Sequence, residues 1–144
     1  MIRLLLFGNP YSSQVEKLVA KIRAEQGKLH VLVNDISESA EHELGKTFWQ
    51  ADLERGFAMF RNAIHTHIIA SHGAAPLLIE TAKNSGRTGL IVEIGDGDTY
   101  TYRGHLFFDL IKTTISDWPL LWRTSCARGM SRPSPSHPVF CAQK

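Results

Sequence analysis

The chain has 144 residues, 43% of them hydrophobic and 21% charged, which is the composition of an ordinary globular domain. A formal net charge of +2 with no basic cluster argues against a nucleic-acid-binding surface, and no segment approaches the roughly 20 apolar residues of a membrane span. The only two cysteines, Cys126 and Cys141, lack metal-type spacing, so we expect a reduced, cytoplasmic setting.

The first third of the sequence predicts a strand, a helix and a second strand. Residues 2–7 are apolar and end at a Gly-Asn-Pro turn, which predicts a strand. Ser13 and Glu16 have the spacing of a capping box, an apolar stripe follows, and Gly27 is the expected helix stop. Residues 30–34 predict a second, buried strand.

A long helical region is predicted from Phe48 to about residue 84, and we expect Pro76 to kink or divide it. Spacing alone predicts that its inward face carries seven apolar residues: Leu53, Phe57, Phe60, Ile64, Ile68, Ala75 and Leu78.

The stretch from residue 89 to residue 112 predicts a strand, a loop and the start of a helix. Residues 90–94 form a short apolar run typical of a strand covered on both faces. Glycine and aspartate residues punctuate the loop, and helical spacing begins at His105. Ligands of parallel α/β sheets bind at the carboxyl ends of the strands, so we expect an active site, if there is one, to include this stretch.

The order of these motifs resembles the short-chain dehydrogenase/reductase family from about residue 2 to residue 116. Residues 32–35, Leu-Val-Asn-Asp, are similar to the family's fourth-strand motif, and residues 62–78 are similar to its long interface helix. Residues 91–94 are similar to its fifth strand, and residues 108–112 align with its catalytic Tyr-x-x-x-Lys. The resemblance implies an α/β, Rossmann-like three-layer fragment with a short parallel sheet of about three strands and flanking helices.

The family's chemistry is a hydride transfer with a nicotinamide cofactor, in which a tyrosine hydroxyl delivers or removes the proton. A nearby lysine lowers the tyrosine pKa, a serine orients the substrate oxygen, and an asparagine on the long helix supports a water link to the lysine. In this sequence Lys112 matches the lysine, Asn62 is the candidate for the asparagine, and Phe108 takes the tyrosine position. The serine would fall at Gly95 or Asp96, neither of which is a hydroxyl.

The resemblance also implies NAD or NADP as cofactor, with Asn34 and Lys112 as candidate cofactor-binding residues. No Gly-rich turn of the dinucleotide-binding type precedes any predicted helix, so we expect this chain alone not to bind the cofactor. We therefore expect a fragment of such an enzyme that is catalytically inactive. Tyr102 is a conceivable substitute acid, but it lies in the loop before the last helix, and we do not expect it to restore activity.

Two other functions are compatible with the sequence. The chain could be active only when assembled with an intact homologue, or it could be a non-enzymatic interaction module that uses its long helix. The family pairs through this helix, so the resemblance implies a homo-oligomer formed through residues 50–84. Three histidines in this region, His65, His67 and His72, lack the spacing of a metal site, and we predict no bound metal.

The C-terminal stretch departs from the family pattern. We expect residues 1–116 to form a partial Rossmann-like domain and residues 117–144 to form an irregular, poorly ordered tail rich in serine and proline. When the reading frame is shifted by one base, codons compatible with residues 117–142 also permit the residues of a helix, a strand and a Pro-Gly turn of the family. We therefore expect the tail to be a frameshifted reading, which the nucleotide sequence of the gene would test.

Overall fold

The computed structural model describes residues 12–35, 45–95, 102–128 and 139–143. Within them lie the helices α1 (Ser12–Gln26), α2 (Leu53–Ser85) and α3 (Leu106–Arg128) and the strands β1 (Val31–Asn34), β2 (Gly89–Glu93) and β3 (Val139–Gln143). A short 3-10 turn at Phe48–Gln50 precedes α2. The strand predicted at residues 2–7 lies outside the described residues.

The described strands form one parallel sheet in the order β1-β2-β3, which confirms the predicted α/β fold class. Asn34 at the end of β1 pairs with Glu93 at the end of β2, and Glu93 in turn pairs with Gln143 of β3. Parallel neighbours require a crossover connection. Between β1 and β2 this crossover is α2, and between β2 and β3 it is α3.

The bounds of α2 follow from its capping residues. The carboxylate of Asp52 accepts a hydrogen bond from the backbone N–H of Arg55 at 3.1 Å, which satisfies one of the free donors of the first turn. At the other end Gly86 has φ +65°, the left-handed conformation that commonly closes a helix. Pro76 lies inside α2 without dividing it, because the buried residues Leu77 and Leu78 continue the helical face beyond it.

The predicted inward face of α2 is wrong for most of its length. Leu53, Phe57 and Ile68 are exposed, whereas the buried face is made mostly of small and polar residues. Its members are Gly56, Met59, Ala63, Thr66, His67, Ala70, Ser71, Ala74, Leu77, Leu78, Thr81 and Ala82. Because successive residues turn by 100°, the buried face lies roughly a quarter turn from the predicted one. Small side chains let α2 approach the sheet and α3 closely. This close packing stabilises the observed orientation of α2 more than burial of its larger apolar side chains would.

Two apolar clusters include residues of α2, at different positions along the helix axis. Six buried residues of α2 and the sheet form one cluster, which consists of Leu29, Leu32, Ala74, Leu77, Leu78 and Ile91. Five buried residues of α2 and α3 form the other, which consists of Met59, Ala63, Phe107, Ile111 and Ile115. The sheet therefore holds the C-terminal half of α2, and α3 holds its N-terminal half.

The last helix and strand differ from the irregular tail expected after residue 116. The helix α3 crosses this position without a break, and Trp118 is buried two residues beyond it. Val139–Gln143 pairs with β2 as β3. The domain boundary at residue 116 and the frameshift remain predictions. No described helix is both long and apolar enough to cross a lipid bilayer.

Candidate functional site

The candidate site lies where β1 and β2 end and α3 begins. Parallel strands point their carboxyl ends at the same edge, so Asn34 and Glu93 lie side by side there. Between β2 and α3, Ile94 and Gly95 are described, whereas residues 96–101 lie outside the described residues. The site can therefore be built from the strand ends and from the first two turns of α3.

Phe108 is the third residue of α3 and lies one helical turn before Lys112. The Lys112 Nζ atom lies over the Phe108 ring, 5.4 Å from its centroid, and the guanidinium carbon of Arg103 lies 4.8 Å from the same centroid. Lys112 is only 8% exposed. Both contacts are cation–π interactions, in which the electron-rich face of the ring attracts the cation. The structure thus brings Lys112 and Phe108 together, with an aromatic ring where the resemblance places a hydroxyl.

The start of α3 is held by side chains of the residues just before it. Arg103 donates from its backbone N–H and from Nε to the two carboxylate oxygens of Asp109, at 2.8 and 2.7 Å. The buried His105 accepts a hydrogen bond from the Phe108 N–H at Nδ1, at 3.1 Å, and so acts as an N-terminal cap. These bonds fix the ring of Phe108 relative to Arg103.

A second loop supports this turn. Gly104 has φ +89°, and a Cβ atom there would lie within 2.5 Å of the Gly45 backbone nitrogen, so the close approach requires glycine. The N–H of Lys46 donates to the Gly104 carbonyl at 3.1 Å. The hydroxyl of Tyr102 donates to the Lys46 carbonyl at 2.8 Å. Tyr102, which was considered above as a substitute acid, therefore has a structural hydrogen bond in this arrangement.

A buried polar cluster lies beneath the strand ends, formed by Asn34, His67, Ser71 and Glu93. Each of the four is at most 1% exposed. The Asn34 amide nitrogen donates to Glu93 Oε1 at 2.8 Å and to Ser71 Oγ at 2.9 Å, and His67 Nδ1 lies 2.5 Å from Glu93 Oε2. Along α2 this polar cluster falls between the two apolar clusters. It ties α2 to the carboxyl ends of both strands.

The sequence analysis missed the roles of Glu93, His67, Ser71 and Arg103. A usable signal was present for Glu93, since a carboxylate in a strand covered on both faces requires a buried partner. His67 and Ser71 are four residues apart and therefore share a helix face. No signal identified Arg103, whose role depends on the path of the loop.

The remaining predicted site residues stay predictions. Asn62 is half-buried on α2, and its backbone carbonyl accepts a hydrogen bond from the Thr66 hydroxyl at 2.7 Å. Gly95 follows β2, and Asp96 lies outside the described residues. Among the described residues no three side chains are grouped as a metal site would require. A separate pocket between α1, β1 and α2 is lined by apolar side chains only and lies away from Lys112.

The predicted site residues Asn34 and Phe108 have limited capacity to contact a ligand. Asn34, predicted to bind the cofactor, donates both amide hydrogens inside the protein and is 1% exposed. Phe108 offers no proton. Lys112, which matches the family lysine, lies next to Phe108 at the start of α3.

Comparison with known proteins identifies the fold. No family model matches the sequence, and no curated protein matches it. The described architecture is that of the short-chain dehydrogenases/reductases, whose solved structures it matches over almost its whole length. The resemblance noted in the sequence is thus confirmed at the level of the fold.

Three of these solved structures illustrate the match. An NADH-dependent reductase, A1-R′, responsible for alginate metabolism, superposes with a TM-score of 0.72 at 15% identity, over 92% of this chain and 50% of that chain. A short-chain dehydrogenase/reductase from Burkholderia phymatum in complex with NAD gives 0.70 at 13% identity, over 92% and 43%. A metagenomic short-chain oxidoreductase in complex with NADP gives 0.65 at 17% identity, over 94% and 55%. This chain therefore spans about half the length of the structures it matches.

Proposed function

We propose that this chain is a member of the short-chain dehydrogenase/reductase family that does not catalyse hydride transfer by itself. The observation that carries the proposal is Phe108, whose ring occupies the position of the proton donor beneath the Lys112 ammonium. Reduction of a carbonyl requires a proton for the developing alkoxide, and a phenyl ring has none to give. Groups that act as one catalytic unit lose most of their effect when one member is removed.

The same proposal covers the cofactor. The family resemblance implies NAD or NADP, and the solved structures with this fold include complexes of both. In this chain Lys112 supplies one of the required contacts, while the Asn34 amide is committed to Glu93 and Ser71. We expect the chain alone to have no measurable affinity for either dinucleotide.

The test is a titration of the purified chain with NAD(H) and NADP(H), followed by nicotinamide fluorescence and by the thermal unfolding temperature. We expect neither signal to change, because a ligand raises the unfolding temperature only if it binds the folded state. Absorbance at the nicotinamide band, in the presence of small aldehydes, ketones and alcohols, is expected to stay constant. A binding response together with turnover would overturn the proposal.

A second function, assembly through α2, is favoured by the exposed stripe of that helix. The stripe consists of Leu53, Phe57, Phe60, Ile64 and Ile68, of which Leu53 and Phe57 are 57% and 59% exposed. Leu53 and Ile68, and likewise Phe57 and Ile64, are equally distant from the point between Phe60 and Arg61. Two copies of α2 that cross antiparallel at this point would place Leu53 opposite Ile68 and Phe57 opposite Ile64. We propose that this self-complementary stripe forms a two-fold homodimer.

The dimer is tested by the mass of the chain in solution and by one charge substitution. Phe57→Glu places a carboxylate in the middle of the stripe and should shift the chain to the monomer in sedimentation or light scattering. Ala58→Glu is the matched control, because Ala58 is exposed in the same helix turn and points about 100° away from Phe57. A monomeric parent chain, or equal effects of both variants, would contradict assembly through this stripe. A complex with an intact homologue instead of a second copy would appear as a heterodimer in the same measurement.

A further inference from the structure

Two connecting segments of the chain are hydrogen-bonded to each other, one before α2 and one before α3. The first comprises residues 45–47 and the second residues 102–104. The backbone N–H of Lys46 donates to the Gly104 carbonyl at 3.1 Å. The hydroxyl of Tyr102 donates to the Lys46 carbonyl at 2.8 Å. The second segment therefore binds both polar groups of the Lys46 backbone, although the two segments are far apart in the sequence.

The backbones of the two segments approach each other directly at two glycines. Gly45 and Gly104 have φ +87° and +89°, which lie in the left-handed region. A Cβ atom at Gly104 would lie 2.5 Å from the Gly45 nitrogen, so only glycine permits this approach. The two hydrogen bonds therefore depend on both segments being held in place.

The helices that follow the two segments also contact each other near their N-terminal ends. The Phe107 ring lies against Gly56, and it meets the Phe57 ring edge-on with centroids 5.1 Å apart. Phe107 is only 3% exposed. The hydrogen bonds of the segments and the Phe107 contact thus join the same two stretches of chain at successive points. Because each contact positions the groups that form the other, we expect the contacts to form and break together.

We propose that residues 45–47 and 102–104 form a latch, which must open before the N-terminal halves of α2 and α3 can separate. The hydrogen bond of Tyr102 is exposed, so water competes for the hydroxyl, whereas Gly104 is buried. Arg103 lies between these two residues and contacts the Phe108 ring, so the latch also positions this cation at the candidate site. The latch is a conformational device of the fold and does not rest on the proposed function.

The test is limited digestion of the full chain with trypsin, with Tyr102→Phe as the variant. Trypsin cleaves after lysine and arginine, and the bond between Lys46 and Thr47 lies inside the latch. Cleavage reports the population of the open state when opening and reclosing are faster than cleavage. The variant loses one hydrogen bond of ordinary net strength, so cleavage after Lys46 should rise roughly two- to tenfold. Residue 102 lies 56 positions away, so the sequence that trypsin recognises at Lys46 is unchanged.

Thr113→Val is the matched control variant. The Thr113 hydroxyl also donates an exposed hydrogen bond of 2.8 Å, but within α3 and not between the two segments. This variant should leave cleavage after Lys46 unchanged. The exposed Arg87, between α2 and β2, is the reference site and should be cleaved at the same rate in every variant. No rise after Lys46 in Tyr102→Phe, an equal rise in Thr113→Val or an equal rise after Arg87 would overturn the proposal.

Amide hydrogen exchange of the same variant tests whether the latch holds the helices. The N–H of Asp109 donates to the His105 carbonyl at 3.0 Å in the first turn of α3, and Phe57 lies in the first turns of α2. Both amides are expected to exchange faster in Tyr102→Phe, together with that of Lys46, whereas residues 74–82 should keep the rates of the parent chain. Faster exchange at Lys46 alone would show that the segments separate without the helices, and would contradict the proposal.

Discussion

At the scale of single residues, Phe108 decides the chemistry of the candidate site, while its surroundings remain those of an acid–base group. Two cations, Arg103 and Lys112, lie within 5.4 Å of the ring centroid, and the Asp109 carboxylate is paired with Arg103. A hydroxyl added to this ring would therefore lie near two cations. Positive charge favours the ionised form of a phenol.

This arrangement predicts the behaviour of the Phe108→Tyr variant. The new phenol should titrate below the ordinary tyrosine value of about 10, because the phenolate is stabilised by the neighbouring cations. The absorbance of tyrosinate against pH, with the parent chain subtracted, measures residue 108 alone. Replacing Lys112 by Met in the variant should raise the pKa again.

The same variant should show no turnover with NADH or NADPH, because no hydroxyl occupies the predicted serine position at Gly95 or Asp96. Turnover by Phe108→Tyr alone would mean that the chain retains more of the family's machinery than we propose. A phenol that titrates at or above its ordinary value would show that the cations do not reach it.

Glu93 carries the second prediction at this scale. Its carboxylate is fully buried and is hydrogen-bonded to Asn34 and His67. Removing this acceptor leaves the buried hydrogen-bond donors of Asn34 and His67 unsatisfied, which costs about 1–3 kcal/mol for each group. We expect a loss of this size in the free energy of unfolding of Glu93→Ala, measured with urea.

The control for Glu93 is a carboxylate in an exposed ion pair. Glu80 pairs with Arg23 between α2 and α1, and both side chains are about half exposed. Solvent screens such a pair, so Glu80→Ala should cost at most about 1 kcal/mol. Equal losses for the two variants would show that the polar cluster contributes no more than a surface contact.

At the scale of elements, the contact between α2 and α3 depends on one glycine. A Cβ atom at Gly56 would overlap the ring of Phe107, which is buried between the two helices. Alanine is intrinsically about 1 kcal/mol better than glycine inside a helix. Overpacking a tight contact costs about 1–3 kcal/mol, so the clash outweighs the propensity.

We therefore expect Gly56→Ala to lower the free energy of unfolding, in contrast to most glycine-to-alanine changes in helices. The matched measurement repeats the substitution in a Phe107→Leu background, where the smaller side chain leaves room for the methyl group. There the substitution should be neutral or stabilising. The same cost in both backgrounds would exclude the Phe107 ring as the obstacle.

The elements also show how much of the fold could be predicted from the sequence alone. Strand and helix order followed from periodicity and from local signals such as the helix stop at Gly27. The buried face of α2 did not follow, because Ala63, Ala70 and Gly56 carry no hydrophobic signal. Their small size matters only when the neighbouring helix and sheet are present. Leu53 and Phe57 gave the stronger pattern but point outward.

The sequence also predicted where the candidate site lies, but not all of the contacts within it. The spacing of Phe108 and Lys112 placed them one helical turn apart, as the structure has them. The contact between His67 and Glu93 joins residues 26 positions apart, and no local pattern encodes such a distance. Arg103 depends on a loop held by Gly104, so its position over Phe108 required the three-dimensional structure.

At the scale of the whole molecule, α2 is far longer than the sheet it covers. Its 33 residues extend over roughly 50 Å, whereas strands of 4 or 5 residues extend over roughly 15 Å. The half of α2 that begins at Leu53 passes beyond the carboxyl edge of the sheet. There Met59 and Ala63 belong to the apolar cluster formed with α3.

We expect this difference in length to divide one continuous helix into two cooperative units. Ile115→Ala, which removes a buried side chain of the α3 cluster, should speed amide hydrogen exchange at residues 57–64 much more than at residues 74–82. Uniform acceleration along α2 would show instead that the helix opens as a whole. A helix that can fray as far as the polar cluster while its other half stays folded would let the α2–α3 layer open and reclose without unfolding the sheet.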